Sequence, residues 1–186
     1  NLRWLSPLVV SGKSMAMRRA DVDAIYQGHM QTVASNQYEI ERCVLDADLV
    51  IGAVLIHGAK APRLISNELV SRMKPGSVLV DISIDQGGCF DDSRPTTHAD
   101  PTYGVHNSLF YCVANMPGAV PHTSTWALTN VTLPYLLDLA DFGWEQACRD
   151  DHALALGLNT HAGAITYQAV ADAFGMPSVS LESVLG

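Results

Sequence analysis

Apolar residues come as short continuous runs in the first two thirds of this chain and at helical spacing in the last third. Leu49-Val50-Ile51-Gly52-Ala53-Val54-Leu55 lacks alternation, as expected of a parallel strand covered by helices on both faces. Before it, Glu39 to Leu45 reads as a helix with Ile40, Cys43 and Val44 on one side, and Arg18 to Ile25 as a short polar-apolar one. After it, Pro62 and Ser66 announce a helix carrying Leu69, Val70 and Met73, which Lys74-Pro75-Gly76 stops. A second continuous run, Ser77 to Ile84, is the next strand. Strand, short helix and strand with tight connections form a βαβ unit with parallel strands, which predicts a doubly wound α/β sheet.

Tyr103 to His106 and Leu109 to Val113 read as two short strands joined by Asn107-Ser108. Beyond Pro121, Leu128, Val131, Tyr135, Leu139 and Phe142 recur at steps of three and four. This predicts one long amphipathic helix packed along the core and kinked at Pro134. A last helix is expected over about Ala162 to Phe174, stopped by Gly175 and Pro177. Near the start, Leu8-Val9-Val10 reads as the end of a short strand among breakers.

In such sheets ligands lie beyond the carboxyl ends of the strands, which draws attention to Val80 to Phe90. There a buried-looking strand runs into Asp85, Gln86 and the pair Gly87-Gly88. Asp85 reads either as an acid presented to a ligand, with glycines allowing close approach, or as an Asx-type turn that only shapes the loop. Asp81, inside the expected strand, calls for a structural hydrogen bond or an edge position. Asn115-Met116-Pro117 follows a strand and reads as a clamp for a flat ring or as a plain turn.

Other chemistry is thinner. His98, His106 and His122 match no common metal spacing and no cysteine joins them, so no metal site is expected. His57, His152 and His161 read as surface or core histidines. Ser11-Gly12-Lys13-Ser14 has the end of a P-loop, but Pro7 stands where its first glycine belongs, and no GxGxxG occurs in the sequence.

Composition narrows the partners. Nearly half of the 186 residues are apolar, enough for a substantial core, and the formal net charge is −8. That field disfavours nucleic acid and anionic membrane, leaving a small molecule or a protein. Four widely spaced cysteines without a CxxC pair read as reduced thiols. No apolar run approaches the ~20 residues of a membrane span, and the expected location is the cytoplasm. The chain begins at Asn1 and is read as part of something longer.

Several segments, in order, resemble bacterial NAD-dependent alanine dehydrogenase: Ala47 to Leu55, Gly58-Ala59-Lys60-Ala61-Pro62, Met73 to Gly76, Val80 to Phe90, Ser93-Arg94-Pro95-Thr96-Thr97 and Phe110 to Pro117. The resemblance covers about Tyr26 to Gly186 and corresponds to the carboxyl-terminal half of that family's enzymes. The NAD-binding subunit of proton-translocating transhydrogenase and saccharopine dehydrogenase share the fold, but Gly88-Cys89-Phe90 and Arg94 to Thr97 are similar to alanine dehydrogenase.

The resemblance implies part of a Rossmann domain over residues 1–120, with 1–17 unassigned, followed over 121–186 by a connecting long helix and the terminal part of a substrate domain. It implies NAD as cofactor, L-alanine or pyruvate with ammonium as substrates, and a homo-oligomer, hexameric in full-length relatives. Asp85 matches the family's catalytic aspartate beside the nicotinamide, assisting proton transfer around the iminium and carbinolamine. Ser35 matches an adenine contact, Val54 and Leu55 line the adenosine side, Ile82 and Met116 flank the nicotinamide, and Asn115 matches the amide near the substrate. The family's glycine-rich turn, substrate-binding arginine and lysine, and catalytic histidine lie upstream of the matched region. Counting back without gaps puts Lys13 where an acid normally holds the ribose; either the lysine accepts a 2′-phosphate and favours NADP, or this end is truncated, divergent or read from an altered frame. Two expectations follow: an alanine dehydrogenase portion inactive in isolation, or a non-catalytic nucleotide-binding or assembly remnant of the same family.

Overall fold

The structure, a computed structural model, describes residues 7–10, 31–54 and 60–186. The helix expected at Arg18 to Ile25, the Ser11 to Ser14 cluster with Lys13, and Leu55 and His57 lie outside the described residues. The chain divides into two compact units, with the change from one to the other between Met116 and Pro117.

In the first unit, β1 (Pro7–Val10) pairs in parallel with β2 (Gln31–Ala34). Helix α1 (Gln37–Asp46) follows, its first turn closed by the Asn36 side chain accepting from the Glu39 N–H at 2.9 Å. Such a cap stabilises a helix by about 1 kcal/mol. Cys43 and Val44 are buried and Ile40 packs against the same core, as their spacing requires. The chain then enters β3 (Leu49–Gly52), crosses through α2 (Asn67–Ser71) and returns as β4 (Val78–Asp81), parallel to β3 with Gly52 opposite Asp81. Ser66 caps α2, and Leu69, Val70 and Met73 are buried.

β5 (Thr102–Val105) and β6 (Ser108–Tyr111) complete a four-stranded sheet in the order β3-β4-β6-β5. β3, β4 and β6 are parallel, whereas β5 is antiparallel to β6 because only a tight turn, with His106 at φ 51°, joins them. Leu79, Phe90, Phe110 and Cys112 are fully or almost fully buried. Phe90 meets Phe110 edge-on at 6.0 Å and Tyr103 stacks on Phe110 at 5.4 Å. Each of these buried apolar side chains contributes roughly 1.5–3 kcal/mol of transfer free energy.

The second strand is shorter than the apolar run Ser77 to Ile84. It ends at Asp81, and Ile82–Gln86 form a 3-10 turn. The run is continuous in hydrophobicity, but Asp81 caps the Ser83 N–H with its own side chain, which diverts the backbone from the ladder.

In the second unit, α3 (Pro121–Asp150) is interrupted at Gly143, whose φ of 74° and ψ of 164° are non-helical. The break was expected at Pro134, which instead stands inside the helix. The dihedrals at Gly143 belong to a region that essentially only glycine occupies, so the break sits where a side chain is missing. The expected burial of the apolar stripe is also overturned: Leu128, Val131 and Phe142 are each more than 60% exposed. Helix α4 (His152–Leu156) is capped by Asp151, which accepts from Ala153 and Leu154. A hairpin, β7 (Thr160–His161) and β8 (Ala164–Ile165), turns through Ala162 and Gly163, both at positive φ. The last long run is therefore hairpin first and helix second: α5 spans Gln168–Phe174 rather than beginning near Ala162, and ends at Gly175 with φ 63°. A final helix, α6 (Leu181–Leu185), has Ser180 as its cap.

Candidate functional site at the carboxyl edge of the parallel strands

Because β3, β4 and β6 run in one direction, their carboxyl ends reach the same edge. The residues beyond β4 are organised by Asp81. Its side chain is completely buried and accepts from the Ser83 N–H at 2.9 Å, the Cys89 N–H at 2.8 Å and the Ser93 hydroxyl. The Cys89 thiol lies 3.5 Å from the same carboxylate. A buried acid is tolerated when its oxygens are this fully engaged. Burial first, and then the charge of Asp81, push the Cys89 thiol up to about 12, so it stays protonated and donates.

Two glycines close the turn. Gly87 has φ 91° and Gly88 φ 79°, and their N–H groups donate to Ile84 and Ser83 carbonyls at 3.0 Å each. The close approach expected of a ligand at this pair is, at Gly88, made by the protein itself. A Cβ there would stand 2.8 Å from Asp81 Oδ2 and 2.6 Å from Ser93 Cβ. At Gly87 a Cβ would meet nothing within 4 Å, so that position faces open space.

Ser83 links this turn to the neighbouring strand. Its hydroxyl accepts from the Val54 N–H at 2.7 Å and donates to the Val54 carbonyl at 2.9 Å. The returning chain is clasped as well: the Ala61 N–H donates to Gln86 at 3.1 Å and the Leu64 N–H to Cys89 at 2.8 Å. Asp85 and Ile82 stand exposed on the outside of this tightly held turn, Ile82 with 52% of its surface accessible. A carboxylate and an apolar side chain are thus displayed together from a rigid base.

Beyond β6, Thr96 and Val113 form a parallel bridge, with the Thr96 N–H on the Cys112 carbonyl at 3.0 Å and the Ala114 N–H on the Thr96 carbonyl at 3.2 Å. This brings His98 Nε2 to 3.1 Å from the Asn115 carbonyl. Asn115 is exposed in a left-handed conformation, φ 55°, which asparagine tolerates better than most residues. Half-buried Met116 opens the 3-10 turn Met116–Ala119.

The structure therefore brings Val54, Ile82, Asp85, Asn115 and Met116 to one edge of one sheet. Half-buried Ser35 is carried by the two-stranded sheet, just after β2, and Leu55 lies outside the described residues. Sequence reasoning gave no role to Ser83 or Ser93 and weighed His98 only as a metal ligand. The spacing Asp81-x-Ser83, a carboxylate two residues before an N–H it can cap, was the available signal for the first. The histidines have separate partners: His106 meets Asn67 Oδ1 at 3.1 Å and His122 lies 6.4 Å from the Trp126 ring. Among the described residues no cluster of three metal-ligating side chains occurs, and no helix is long and apolar enough to cross a membrane.

A parallel α/β sheet with a pinned, polar turn at its carboxyl edge is a Rossmann-type arrangement. The family model described as alanine dehydrogenase/PNT, C-terminal domain matches residues 9–168, and the chain belongs to this nicotinamide-dinucleotide-dependent family. It is 60% identical over 164 residues to alanine dehydrogenase of Mycobacterium tuberculosis, covering 88% of this chain and 44% of that protein. It is 57% identical over 169 residues to the Halomonas elongata enzyme, covering 91% and 46%. Among solved structures, an L-alanine dehydrogenase superposes with a TM-score of 0.76 at 43% identity, over 91% of this chain and 46% of that one. A transhydrogenase from Sinorhizobium meliloti, at 19% identity and a TM-score of 0.59 over 87% and 42%, shares the fold. The chain spans somewhat less than half the length of these relatives.

Proposed function

We propose that this chain forms the nicotinamide side of an NAD-dependent L-alanine dehydrogenase site, for the reversible conversion of L-alanine, water and NAD⁺ to pyruvate, ammonium, NADH and a proton. The observation that carries the reading is Asp85, an exposed carboxylate on a turn held from below by Asp81 and sideways by Ser83. The residues at the edge suit a dinucleotide chemically. Ile82, Val54 and Met116 offer apolar surface against flat rings, and Asp85 and Asn115 offer polar groups beside them. By the family pattern Ser35 and Leu55 join Val54 on the adenosine side.

When bound, NAD supplies a hydride acceptor or, reduced, a donor. Asp85 takes up or returns the proton at the substrate nitrogen or carbinolamine oxygen, presented by a turn that the Asp81 and Ser83 hydrogen bonds hold. Asn115 orients the substrate with its amide, and its left-handed backbone is steadied by His98. In the family pattern pyruvate's carboxylate is bound by an arginine and a lysine outside the matched region, so binding without turnover is the reading for the chain alone.

Two measurements on the purified chain test this. Titration with NADH should show saturable binding, and an assay of NADH oxidation with pyruvate and ammonium should show little turnover. No binding of NADH would sink the reading; turnover near that of a full-length homologue would sink the division of labour.

A further inference from the structure

We propose that Asp81 is a positioning residue for Asp85, closing the turn with one buried carboxylate so that Asp85 and Ile82 hold their places at the nicotinamide end. This rests on the reading of that edge given above. Asp81 has no exposed surface, so it meets no ligand itself. The neighbouring inward position of the same strand, Leu79, shows what ordinary packing uses there.

A carboxylate in this place does something an apolar side chain cannot. It gathers donors from both sides of the segment that carries Asp85: the Ser83 N–H before it, the Cys89 N–H after the two glycines, and the Ser93 hydroxyl beyond. The two backbone donors flank Asp85 in sequence, so fixing both to one side chain fixes the residues between them. Gly88 has no Cβ where Asp81 Oδ2 lies, so backbone and carboxylate can meet. Through Ser83 the same network reaches Val54, at the end of the neighbouring strand. An amide in place of the carboxylate turns an N–H group toward one of the two backbone N–H donors. One end of the turn is then released while shape and volume are kept.

The test is equilibrium titration of the full chain with NADH and with ADP-ribose, which lacks the nicotinamide. Asp81→Asn should weaken NADH binding by about tenfold and leave ADP-ribose within about twofold. Combined with Asp85→Ala it should cost less than the two single losses multiplied together, the remainder acting through Ile82, as expected of coupled residues. Val70→Ala, a core change outside the network, should shift both ligands together. Asp81→Asn lowering both ligands equally, or multiplying with Asp85→Ala, would show a merely structural role and overturn the proposal. If Asp81→Asn does not fold, Ser93→Ala removes one donor only. It must move the ratio of the two affinities in the same direction, and an unchanged ratio overturns the proposal. Equal affinity of the unmodified chain for NADH and ADP-ribose would instead sink the nicotinamide-edge reading, and this inference with it.

Discussion

The backbone N–H of Cys89 donates to Asp81 Oδ2 at 2.8 Å, which ties the end of β4 to a residue beyond two glycines in left-handed conformation. The contact depends on Gly88, since a Cβ at that position would lie 2.8 Å from the same oxygen.

The two glycines should therefore differ sharply on substitution. Gly88→Ala adds a steric conflict with a buried carboxylate to an unfavourable φ and should destabilise the chain by ~3 kcal/mol or more. Gly87→Ala meets open space and should cost only about 1 kcal/mol for its positive φ. Urea unfolding of both variants measures the difference; equal losses would contradict the close approach at Gly88.

Ser83→Ala leaves the Val54 N–H and carbonyl without their side-chain partner and should cost about 2 kcal/mol. Amide hydrogen exchange at Val54 should accelerate, and Ser83→Thr, which keeps the hydroxyl, should restore much of the protection. Unchanged exchange in the alanine variant would remove Ser83 from its linking role.

Alkaline pH should weaken the fold through Cys89. Its thiol is raised from 9.0 to about 12, by burial first and the Asp81 charge second. The folded state thus holds the proton more tightly than the unfolded state. This contribution is complete below pH 9 and falls away as pH climbs toward 12. Urea midpoints between pH 8 and about 10.5 should decline less steeply in Cys89→Ala than in the parent chain. Parallel slopes would contradict the assignment.

Exposed apolar residues on α3, among them Trp126, Leu128 and Val131, predict concentration-dependent self-association of the isolated chain. The weight-average mass from light scattering should rise with concentration, and rise less in the double variant Leu128→Gln, Val131→Gln. A monomer mass at every concentration in the parent chain would refute this.

Much of the first unit was legible in advance because its elements are short and locally signalled. The Leu49 run and the Ser66 cap with Leu69 and Val70 each declare an element within a few residues, and the turn expected at Asn107-Ser108 falls one residue earlier, at His106-Asn107. Family motifs from Val80 to Phe90 and at Asn115-Met116-Pro117 pointed to the edge where those residues now stand. In the second unit the same approach misjudged Pro134 against Gly143 and began the last helix too early. Periodicity alone cannot say which of two breakers bends a helix, or whether Ala162-Gly163 turns a hairpin.

By itself the sequence determined the family, the α/β class and the identity of the strand-end residues, because composition, spacing and motif are properties of neighbouring positions. Only the tertiary structure decided that Asp81 rather than a ligand fills the space at Gly88, that Ser83 reaches Val54, and that His98 steadies Asn115. Ser83 and Val54 stand 29 positions apart, and His98 and Asn115 stand 17 apart. Contacts of that kind are set by how parallel strands and their returning loops pack, and no local pattern records them.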